Sequence, residues 1–325
     1  MSRPRVFVAR KLPGDVLGAL GDQVQLTVWP DPFPPPQEAL AAHAAESEGL
    51  LTLITDRVDR ELLAKAPRLR VVSNMGVGYD NIDVAACTER RIPVGNTPGV
   101  LTDATADLTF ALLLAAARRL PESIAFIRSG LWKTWDPNLL LGQEVFGATL
   151  GIIGMGKIGQ AVARRAVGFK MRILYCGAPR EQIERETGAR RVERESLLRE
   201  SDFVSLHVPL STETRHLIGR SELALMKPTA VLINTSRGPV IDQSALAEAL
   251  RSGRPGAAAL DVTDPEPISM DDPLLRMPNA LIVPHIGSGT LQTRTRMAQM
   301  AVENLLAGIW AKRLPDCVNP QVYEE

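Results

Sequence analysis

Short apolar runs alternate with amphipathic patterns along the first third of the chain. Apolar runs predict strands at residues 5–9, 24–29, 49–55, 69–73 and 92–95, and helical spacing predicts helices at 14–20, 37–45 and 60–66. A proline cluster at 31–36 predicts a loop, because proline fixes φ and lacks an N–H donor. Strands that alternate with helices in this way are typical of a parallel sheet.

A long apolar helix pattern over residues 102–120 separates this region from a second alternation. Strands are predicted at 150–153, 172–175, 202–208, 230–234, 257–261 and 280–283, and helices at 158–167, 181–186, 219–226 and 244–252. This predicts a second doubly wound sheet, with six or more parallel strands. A last helix at 291–310 leaves too few residues for another domain, so we expect the C-terminal segment to return to the first domain.

A glycine turn follows the predicted strand at 150–153. Gly154 permits a tight turn, Gly156 lets backbone N–H groups approach a pyrophosphate, and Gly159 lets the next helix pack close to the strand. The helix N-terminus adds unpaired donors and partial positive charge. Glycine turns are common, so the motif alone also fits a purely structural turn. Its place between a strand and a helix favours a dinucleotide site.

The end of the next strand indicates which dinucleotide is bound. Folds specific for NAD usually carry an acidic residue there, which binds the ribose hydroxyls. Here the strand continues into Cys176, Gly177, Ala178, Pro179 and Arg180 without a carboxylate. Gly177 leaves room for a phosphate and Arg180 can pair with it, so the sequence predicts NADPH, with NADH as the alternative. Arg180 also fits an ordinary cation at a helix start, and the neighbouring acid can still turn inward.

A second glycine pair, Gly76 and Gly78 around Val77, follows the predicted strand at 69–73. Successive N–H groups in such a turn form a concave anion site that suits a carboxylate. A turn without any ligand fits the same residues.

Three reactive side chains follow successive strands of the second region. They are Arg237, Glu266 and His285, and the carboxyl ends of parallel strands share one edge of a sheet. A guanidinium binds a carboxylate in two places, and an imidazole can protonate a carbonyl oxygen. A neighbouring glutamate favours and orients the protonated imidazole. Each residue singly also fits a structural role, but together they suit reduction of an α-keto acid.

The composition limits the kinds of partner that this 325-residue chain is expected to bind. Lysine plus arginine equals aspartate plus glutamate at 37 each, so no net charge favours nucleic acid or an anionic membrane. Cys87, Cys176 and Cys317 are widely spaced, which argues against disulfides and zinc and fits a cytoplasmic protein. No signal peptide, membrane span or metal motif is predicted. His207 closes a strand and fits a packed histidine better than a cofactor contact.

The motifs together resemble the D-isomer-specific 2-hydroxyacid dehydrogenases, and within them the glyoxylate reductase/hydroxypyruvate reductase group. The resemblance covers nearly the whole chain and rests on residues 76–83, 96–103, 154–159, 234–238, 260–267 and 284–288. It implies reduction of glyoxylate and hydroxypyruvate to glycolate and D-glycerate. Arg237 is then expected to bind the carboxylate, His285 to donate the proton and Glu266 to support His285.

The expected binding residues follow from the resemblance and from the motifs. For the substrate they are Val77, Gly78, Arg237 and Ser288. For the cofactor they are Gly154, Met155, Gly156, Lys157, Ile158, Gly159, Gly177, Ala178, Arg180, Thr235, Ser236, Asp261 and Gly287, together with His285.

The resemblance also implies a domain division and a homodimer. We expect a substrate-binding domain at residues 1–98 and 288–325, and a dinucleotide-binding domain at 99–287 with a dimerisation arm near 121–147. Leu139 stands where vertebrate enzymes of the group have a tryptophan that reaches the partner's active site, and Trp135 matches an earlier tryptophan.

Two alternatives remain open at this level. One is a dehydrogenase for another D-2-hydroxy acid, such as 3-phosphoglycerate, that uses NADH. The other is a non-catalytic dinucleotide sensor similar to the family's corepressors.

Overall fold

The computed structural model describes residues 3–324, which divide into two compact units. The first unit takes both ends of the described chain, up to Leu101 and from Thr290 onward, and the second spans Thr102–Gly289. The sequence places these two boundaries at 98/99 and 287/288. The substrate-binding and dinucleotide-binding roles of the two units remain predictions.

The first unit is built on a parallel sheet. Over the described residues its strand order is β2-β1-β3-β4-β5, and apolar clusters cover both faces. The strands are β1 (Arg5–Val8), β2 (Gln25–Val28), β3 (Gly49–Leu53), β4 (Val71–Met75) and β5 (Val94–Gly95), and the helices are α1 (Gln37–Glu46), α2 (Arg60–Lys65) and α3 (Val84–Glu89).

The C-terminal segment completes the first unit through a long helix. Thr290 caps this helix, α11 (Leu291–Ile309), by accepting a hydrogen bond from the backbone N–H of Thr293. A Cβ on Gly308 would lie 2.4 Å from Val71 Cβ, so glycine permits the close contact with β4. The Ser73 hydroxyl donates to the carbonyl of Ala301 at 2.7 Å. The predicted discontinuous first domain is confirmed.

The second unit contains the longer sheet. In the part of the chain that the structure describes, seven parallel strands lie in the order β12-β11-β10-β9-β6-β7-β8. The strands are β6 (Thr149–Ile153), β7 (Arg172–Cys176), β8 (Arg190–Arg191), β9 (Phe203–Leu206), β10 (Val231–Asn234), β11 (Ala257–Leu260) and β12 (Ala280–Ile282). Its helices are α4 (Thr102–Ala117), α5 (Leu120–Arg128), α6 (Lys157–Gly168), α7 (Glu181–Thr187), α8 (Arg194–Glu200), α9 (Arg220–Leu225) and α10 (Gln243–Arg251).

Burial on both faces explains why the strands of this sheet read as continuous apolar runs. All five residues of β6 are buried, and separate apolar clusters lie on the two sides of the sheet. The predicted α/β fold with two doubly wound parallel sheets is therefore confirmed.

Some predicted elements differ from the structure. The long helix expected over about 102–120 forms as α4 but ends at Ala117, and a second helix, α5, starts at Leu120. Arg119 between them has φ of +52°, in the left-handed region. The helix expected at 14–20 is replaced by short 3₁₀ turns at Leu17–Ala19 and Gly21–Gln23. Four of the helices and strands, α3, α5, α8 and β8, are not predicted by the sequence.

Candidate active site

The glycine turn between β6 and α6 places different constraints on its three glycines. Gly154 has φ of +97°, and a Cβ there would lie 2.7 Å from the carbonyl oxygen of His207. A Cβ on Gly159 would lie 2.2 Å from the carbonyl oxygen of Gly154, so both positions require glycine. At Gly156 the Cβ position has no described neighbour within 4 Å. The backbone at Gly156 is therefore open to a ligand.

The N-terminus of α6 supplies hydrogen-bond donors beside this opening. The first helical hydrogen bond joins the Gln160 N–H to the Gly156 carbonyl at 2.9 Å. The N–H groups of Lys157, Ile158 and Gly159 precede it and have no acceptor within the helix. An open backbone, unpaired N–H groups and a positive helix end together fit the pyrophosphate of a dinucleotide.

The end of β7 lies beside the same turn and carries no acid. Gly177 has φ of +134°, and its Cβ position is 3.7 Å from the backbone nitrogen of Met155. Arg180 is exposed, and its Nε donates to the Met155 carbonyl at 3.1 Å. Glu181 is exposed and pairs with Arg185 one helical turn later at 3.9 Å. No carboxylate therefore occupies the position where NAD-specific folds bind the ribose hydroxyls.

His285 and Glu266 form a direct pair at the carboxyl edge of the sheet. His285 follows β12 and Glu266 follows β11, and His285 Nδ1 lies 2.5 Å from Glu266 Oε1. Both side chains are partly exposed, at 25% and 35%. A carboxylate at this distance fixes the orientation of the ring. The role of this pair as proton donor and acceptor remains a prediction.

Asp261 holds the backbone of the loop that carries His285. Its two carboxylate oxygens accept from the N–H groups of Ile286 at 2.6 Å and Gly287 at 2.8 Å. The His285 N–H donates to the Asp261 carbonyl at 2.9 Å, and His285 has φ of +50°. Burial raises the pKa of Asp261, while these two backbone N–H groups act against that rise. The Asp261 carboxylate therefore holds the backbone of the loop that carries His285.

Arg237 follows β10, which is the neighbour of β11 in the sheet. Its backbone carbonyl accepts from Asn234 Nδ2 at 2.8 Å, and Asn234 Oδ1 also accepts from the Ser236 N–H at 3.0 Å. A Cβ on Gly238 would lie 1.9 Å from the carbonyl oxygen of Thr263, so the two strand ends touch there. Adjacent strand ends thus carry the guanidinium, the carboxylate and the imidazole.

Other predicted cofactor residues lie at the same strand ends. Thr235 is buried, and its hydroxyl lies 3.0 Å from the Thr109 hydroxyl of α4. The Ser236 hydroxyl donates to Asn234 Oδ1 at 2.8 Å. Gly287 is buried and Ser288, the expected substrate contact, is partly exposed. Contacts from these residues to cofactor or substrate remain predictions.

The glycine pair of the first unit forms a turn whose carbonyl groups all accept hydrogen bonds. The Gly76 carbonyl accepts from the Thr97 N–H at 2.9 Å, the Val77 carbonyl from Asn96 Nδ2 at 2.8 Å, and the Gly78 carbonyl from Asn74 Nδ2 at 3.0 Å. Within residues 3–324 the N–H groups of Val77 and Gly78 donate to no acceptor. This arrangement fits an anion such as a carboxylate.

The sequence missed three residues that this geometry brings forward. Asn74 and Asn96 hold carbonyl groups of the glycine pair. Arg191 of β8 donates from its Nε to the Gly177 carbonyl at 2.8 Å. A buried asparagine inside an otherwise apolar strand is the one pattern that points to Asn74, whereas a two-residue strand has no periodicity that points to Arg191.

His207 is held as a neutral imidazole. Its Nε2 lies 2.8 Å from the Ser205 hydroxyl, and its Nδ1 is buried without a partner among the described atoms. Burial lowers the pKa of His207 to about 3.

The described residues contain neither a metal-binding cluster nor a membrane-spanning helix. No group of three or more His, Cys, Asp or Glu side chains there is arranged to hold a metal ion. Among the same residues, no helix has the length and apolar character needed to cross a membrane.

The chain is similar to known proteins over nearly its full length. The family model for the D-isomer specific 2-hydroxyacid dehydrogenase, NAD binding domain, matches residues 110–287. Glyoxylate reductase from Korarchaeum cryptofilum is 50% identical, with 98% of this chain and 97% of that protein covered. Glyoxylate reductase from Aeropyrum pernix is 51% identical, with 99% and 98% covered. The crystal structure of the TT0316 protein from Thermus thermophilus superposes with a TM-score of 0.91, at 47% identity and with 97% and 99% covered.

Two more distant solved structures hold different nicotinamide cofactors. An acyclic imino acid reductase in complex with NADPH and D-Arg has a TM-score of 0.86 and 28% identity, with 97% of this chain and 99% of that chain covered. D-lactate dehydrogenase from Aquifex aeolicus, complexed with NAD and lactic acid, has a TM-score of 0.85 and 28% identity, with 97% and 98% covered. The fold thus accepts a nicotinamide dinucleotide of either kind, and the chain belongs to the D-isomer specific 2-hydroxyacid dehydrogenase family, within its glyoxylate reductase group, as an NAD(P)-dependent oxidoreductase.

Proposed function

We propose that this protein reduces glyoxylate and hydroxypyruvate to glycolate and D-glycerate and prefers NADPH over NADH. The observation that carries the proposal is the pair of His285 and Glu266, 2.5 Å apart, on strand ends next to Arg237. The names of the relatives from Korarchaeum cryptofilum and Aeropyrum pernix support glyoxylate as a substrate.

The proposed mechanism divides the work among three side chains. Arg237 binds the carboxylate of the keto acid with its planar fork of donors and fixes the carbonyl group in place. Protonated His285 gives its Nε2 proton to the carbonyl oxygen while the keto carbon accepts a hydride, so the product is a neutral hydroxyl on a 2-hydroxy acid. Glu266 contacts Nδ1 of the ring and keeps Nε2 directed at the substrate. The bound nicotinamide supplies the hydride.

Backbone groups are proposed to complete the binding of substrate and cofactor. The N–H groups of Val77 and Gly78, together with Ser288, bind the substrate. The turn at residues 154–159 binds the pyrophosphate, and Gly177, Ala178 and Arg180 accommodate the 2′-phosphate. Thr235, Ser236, Asp261 and Gly287 lie around the nicotinamide half. The open Cβ position at Gly156 and the absence of an acid after β7 support this assignment.

Steady-state kinetics test the proposed activity. The purified protein is assayed with glyoxylate, hydroxypyruvate and 3-phosphohydroxypyruvate, each with NADPH and with NADH, by the loss of absorbance of the reduced cofactor. We expect turnover of the first two acids and a higher kcat/KM with NADPH. No turnover of either acid would reject the activity, and a higher kcat/KM with NADH would reject the cofactor preference.

Variants of the proposed catalytic groups give the first prediction. The variant His285→Asn loses the proposed proton donor, so we expect kcat to fall at least about 1,000-fold. The variant Arg237→Gln loses a charge-assisted pair with the substrate carboxylate, so we expect KM for the keto acid to rise. The Kd of NADPH, measured by fluorescence quenching, should change little in either variant. His216→Asn, at an exposed histidine, is the control. Near-normal kcat in His285→Asn would rule out the proposed proton donor.

We further propose a cytoplasmic homodimer that forms through the arm at residues 121–147. Within the second unit this arm exposes large apolar side chains, including Trp132 at 59% and Trp135 at 78%. A monomeric protein rarely leaves such a set exposed to water. Sedimentation equilibrium of the wild type and of Trp135→Glu tests this. A monomeric wild type would contradict the proposal.

A further inference from the structure

The edge strand β8 brings a second guanidinium to the end of β7. Parallel pairing places Arg190 opposite Leu174 and Arg191 opposite Tyr175. Neighbouring residues in a strand point to opposite faces of the sheet. Arg191 Nε reaches the carbonyl oxygen of Gly177 at 2.8 Å. Arg191 therefore lies beside the loop at which a dinucleotide fold distinguishes a ribose hydroxyl from a ribose phosphate.

Arg180 and Arg191 are held in the same manner, each by a hydrogen bond to a backbone carbonyl. Arg180 Nε donates to the Met155 carbonyl at 3.1 Å, and the Arg180 backbone N–H donates to the Tyr175 hydroxyl at 3.0 Å. Each guanidinium is thus fixed through its Nε to a backbone carbonyl. This fixation orients the two outer nitrogens of each side chain before any ligand arrives, so less conformational entropy is lost on binding.

Neither guanidinium is neutralised by a carboxylate in the part of the chain that the structure describes. The nearby arginines of α7 and α8 differ in this respect, since Arg185 pairs with Glu181 and Arg199 pairs with Glu195. Two exposed guanidinium groups without acidic partners, next to a glycine whose φ of +134° suits no side chain, favour an anion with several oxygens.

We propose that Arg191 binds the 2′-phosphate of NADPH together with Arg180 and is a determinant of the cofactor preference. The inference rests on the NADPH preference of the proposed function and adds a residue outside the β7 loop to it. A phosphate monoester offers three oxygens, enough for both guanidinium groups to donate at once. Arg190, on the same strand but facing the other side, has no part in this contact.

Adenosine 2′,5′-bisphosphate and AMP test the phosphate contact without turnover. Isothermal titration of the full-length wild type, Arg191→Gln and Arg190→Gln gives the Kd of each nucleotide, and titrations with NADPH and NADH accompany them. In Arg191→Gln we expect binding of the bisphosphate and of NADPH to weaken about 10- to 100-fold, while AMP and NADH change less than about twofold. Arg190→Gln, which removes the same charge from the neighbouring position, is expected to change all four less than about threefold.

The outcomes separate this inference from the proposed function. Unchanged NADH binding shows that Arg191→Gln is folded. Suppose that the wild type prefers the bisphosphate, but that Arg191→Gln binds the bisphosphate as tightly as the wild type does. The role of Arg191 is then wrong and the NADPH preference stands. The same conclusion follows if Arg190→Gln weakens bisphosphate binding as much as Arg191→Gln does. If the wild type binds AMP and NADH as tightly as the phosphorylated forms, the preference itself is wrong and the role of Arg191 fails with it.

Discussion

Asn96 and Asn74 occupy carbonyl groups of the glycine turn in the first unit. A peptide turn offers both carbonyl and N–H groups, and exposed carbonyl oxygens repel a carboxylate. In the first unit the carbonyls of Val77 and Gly78 are each occupied by a side-chain amide, so only N–H groups are left to meet a ligand. Under the proposed function, the two asparagines are positioning residues that act on the substrate through the backbone.

This reasoning predicts the effect of Asn96→Asp, which keeps the shape of the side chain and replaces the donor with an acceptor. The carboxylate repels the Val77 carbonyl and adds negative charge beside the turn. We expect KM for glyoxylate to rise about tenfold, as for the loss of one hydrogen bond near a charge. The kcat and the Kd of NADPH should change less than about twofold. A lower kcat at unchanged KM would contradict the positioning role.

Because His207 is buried, we expect the stability of the folded protein to depend on pH. Its pKa is about 3 in the folded protein and about 6.5 in an unfolded chain. The unfolded chain therefore takes up a proton below pH 6.5 that the folded protein does not, and folding loses up to about 1.4 kcal/mol per pH unit as the pH falls towards 3. Above pH 6.5 the ring is neutral in both states, so no stability is lost there.

His207→Asn removes the titrating ring and keeps a polar group near Ser205. Thermal unfolding at pH 7.5, 6.0 and 5.0 should show a smaller decrease in Tm for this variant than for the wild type. His216→Asn, at an exposed histidine with left-handed φ that asparagine tolerates, should follow the wild type more closely. Parallel curves for wild type and His207→Asn would show that burial of this ring does not govern the acid sensitivity.

Most elements could be predicted because each core strand is an apolar run bounded by polar residues. The errors occurred where long-range contacts decide the conformation. Arg118 and Arg119 are good helix formers, so nothing local indicates the left-handed residue that separates α4 from α5. The strand β8 has only two residues, both arginine, and exists because β7 offers an open edge. These features depend on tertiary structure and leave no periodic pattern.

The turn between β6 and α6 predicts opposite results for two glycine-to-alanine changes. In Gly159→Ala the new methyl group would lie 2.2 Å from the Gly154 carbonyl oxygen and must push the helix away from the strand. We therefore expect the unfolding free energy of the second unit to fall by about 1–3 kcal/mol. In Gly156→Ala the methyl enters open space, so stability is retained and NADPH binding weakens at least about tenfold, because the backbone can no longer approach the pyrophosphate.

Differential scanning fluorimetry and NADPH titration of both variants separate the two effects. Gly168→Ala, at the end of α6 and also without neighbours at its Cβ position, is the control and should leave both quantities unaffected or raise stability slightly. Equal stability of Gly159→Ala and Gly156→Ala would contradict the assigned constraints.

At the scale of the whole molecule, the candidate site was predictable because strand ends of a parallel sheet share an edge. Arg237, Glu266 and His285 are placed by that rule alone. The contacts that hold the first unit together were not predictable, since they join distant parts of the sequence. Asn319 accepts from the Val94 N–H at 2.8 Å and donates to the Ile92 carbonyl at 3.0 Å, across more than 220 residues. No local pattern indicates which strand this C-terminal amide meets.

We therefore expect Asn319→Ala to lower the stability of the first unit alone. The buried N–H of Val94 and the carbonyl of Ile92 lose their partners, which costs about 2–4 kcal/mol in total. Hydrogen exchange followed by mass spectrometry should show faster exchange in β4, β5 and α11 and unchanged exchange in β6–β12. The Kd of NADPH should not change. Asn138→Ala, at an exposed asparagine, is the control, and faster exchange throughout both units would contradict the prediction.

The division of the first unit between both ends of the chain has a consequence for its synthesis. When Leu101 leaves the ribosome, β4 lacks the helix α11 that packs against it, and Val94 lacks Asn319. At about 5–20 residues per second, the missing segment follows on the order of ten seconds or more later. The second unit is continuous and can fold during this interval. The apolar surface under α11 meanwhile stays exposed on the nascent chain, where a chaperone can bind it.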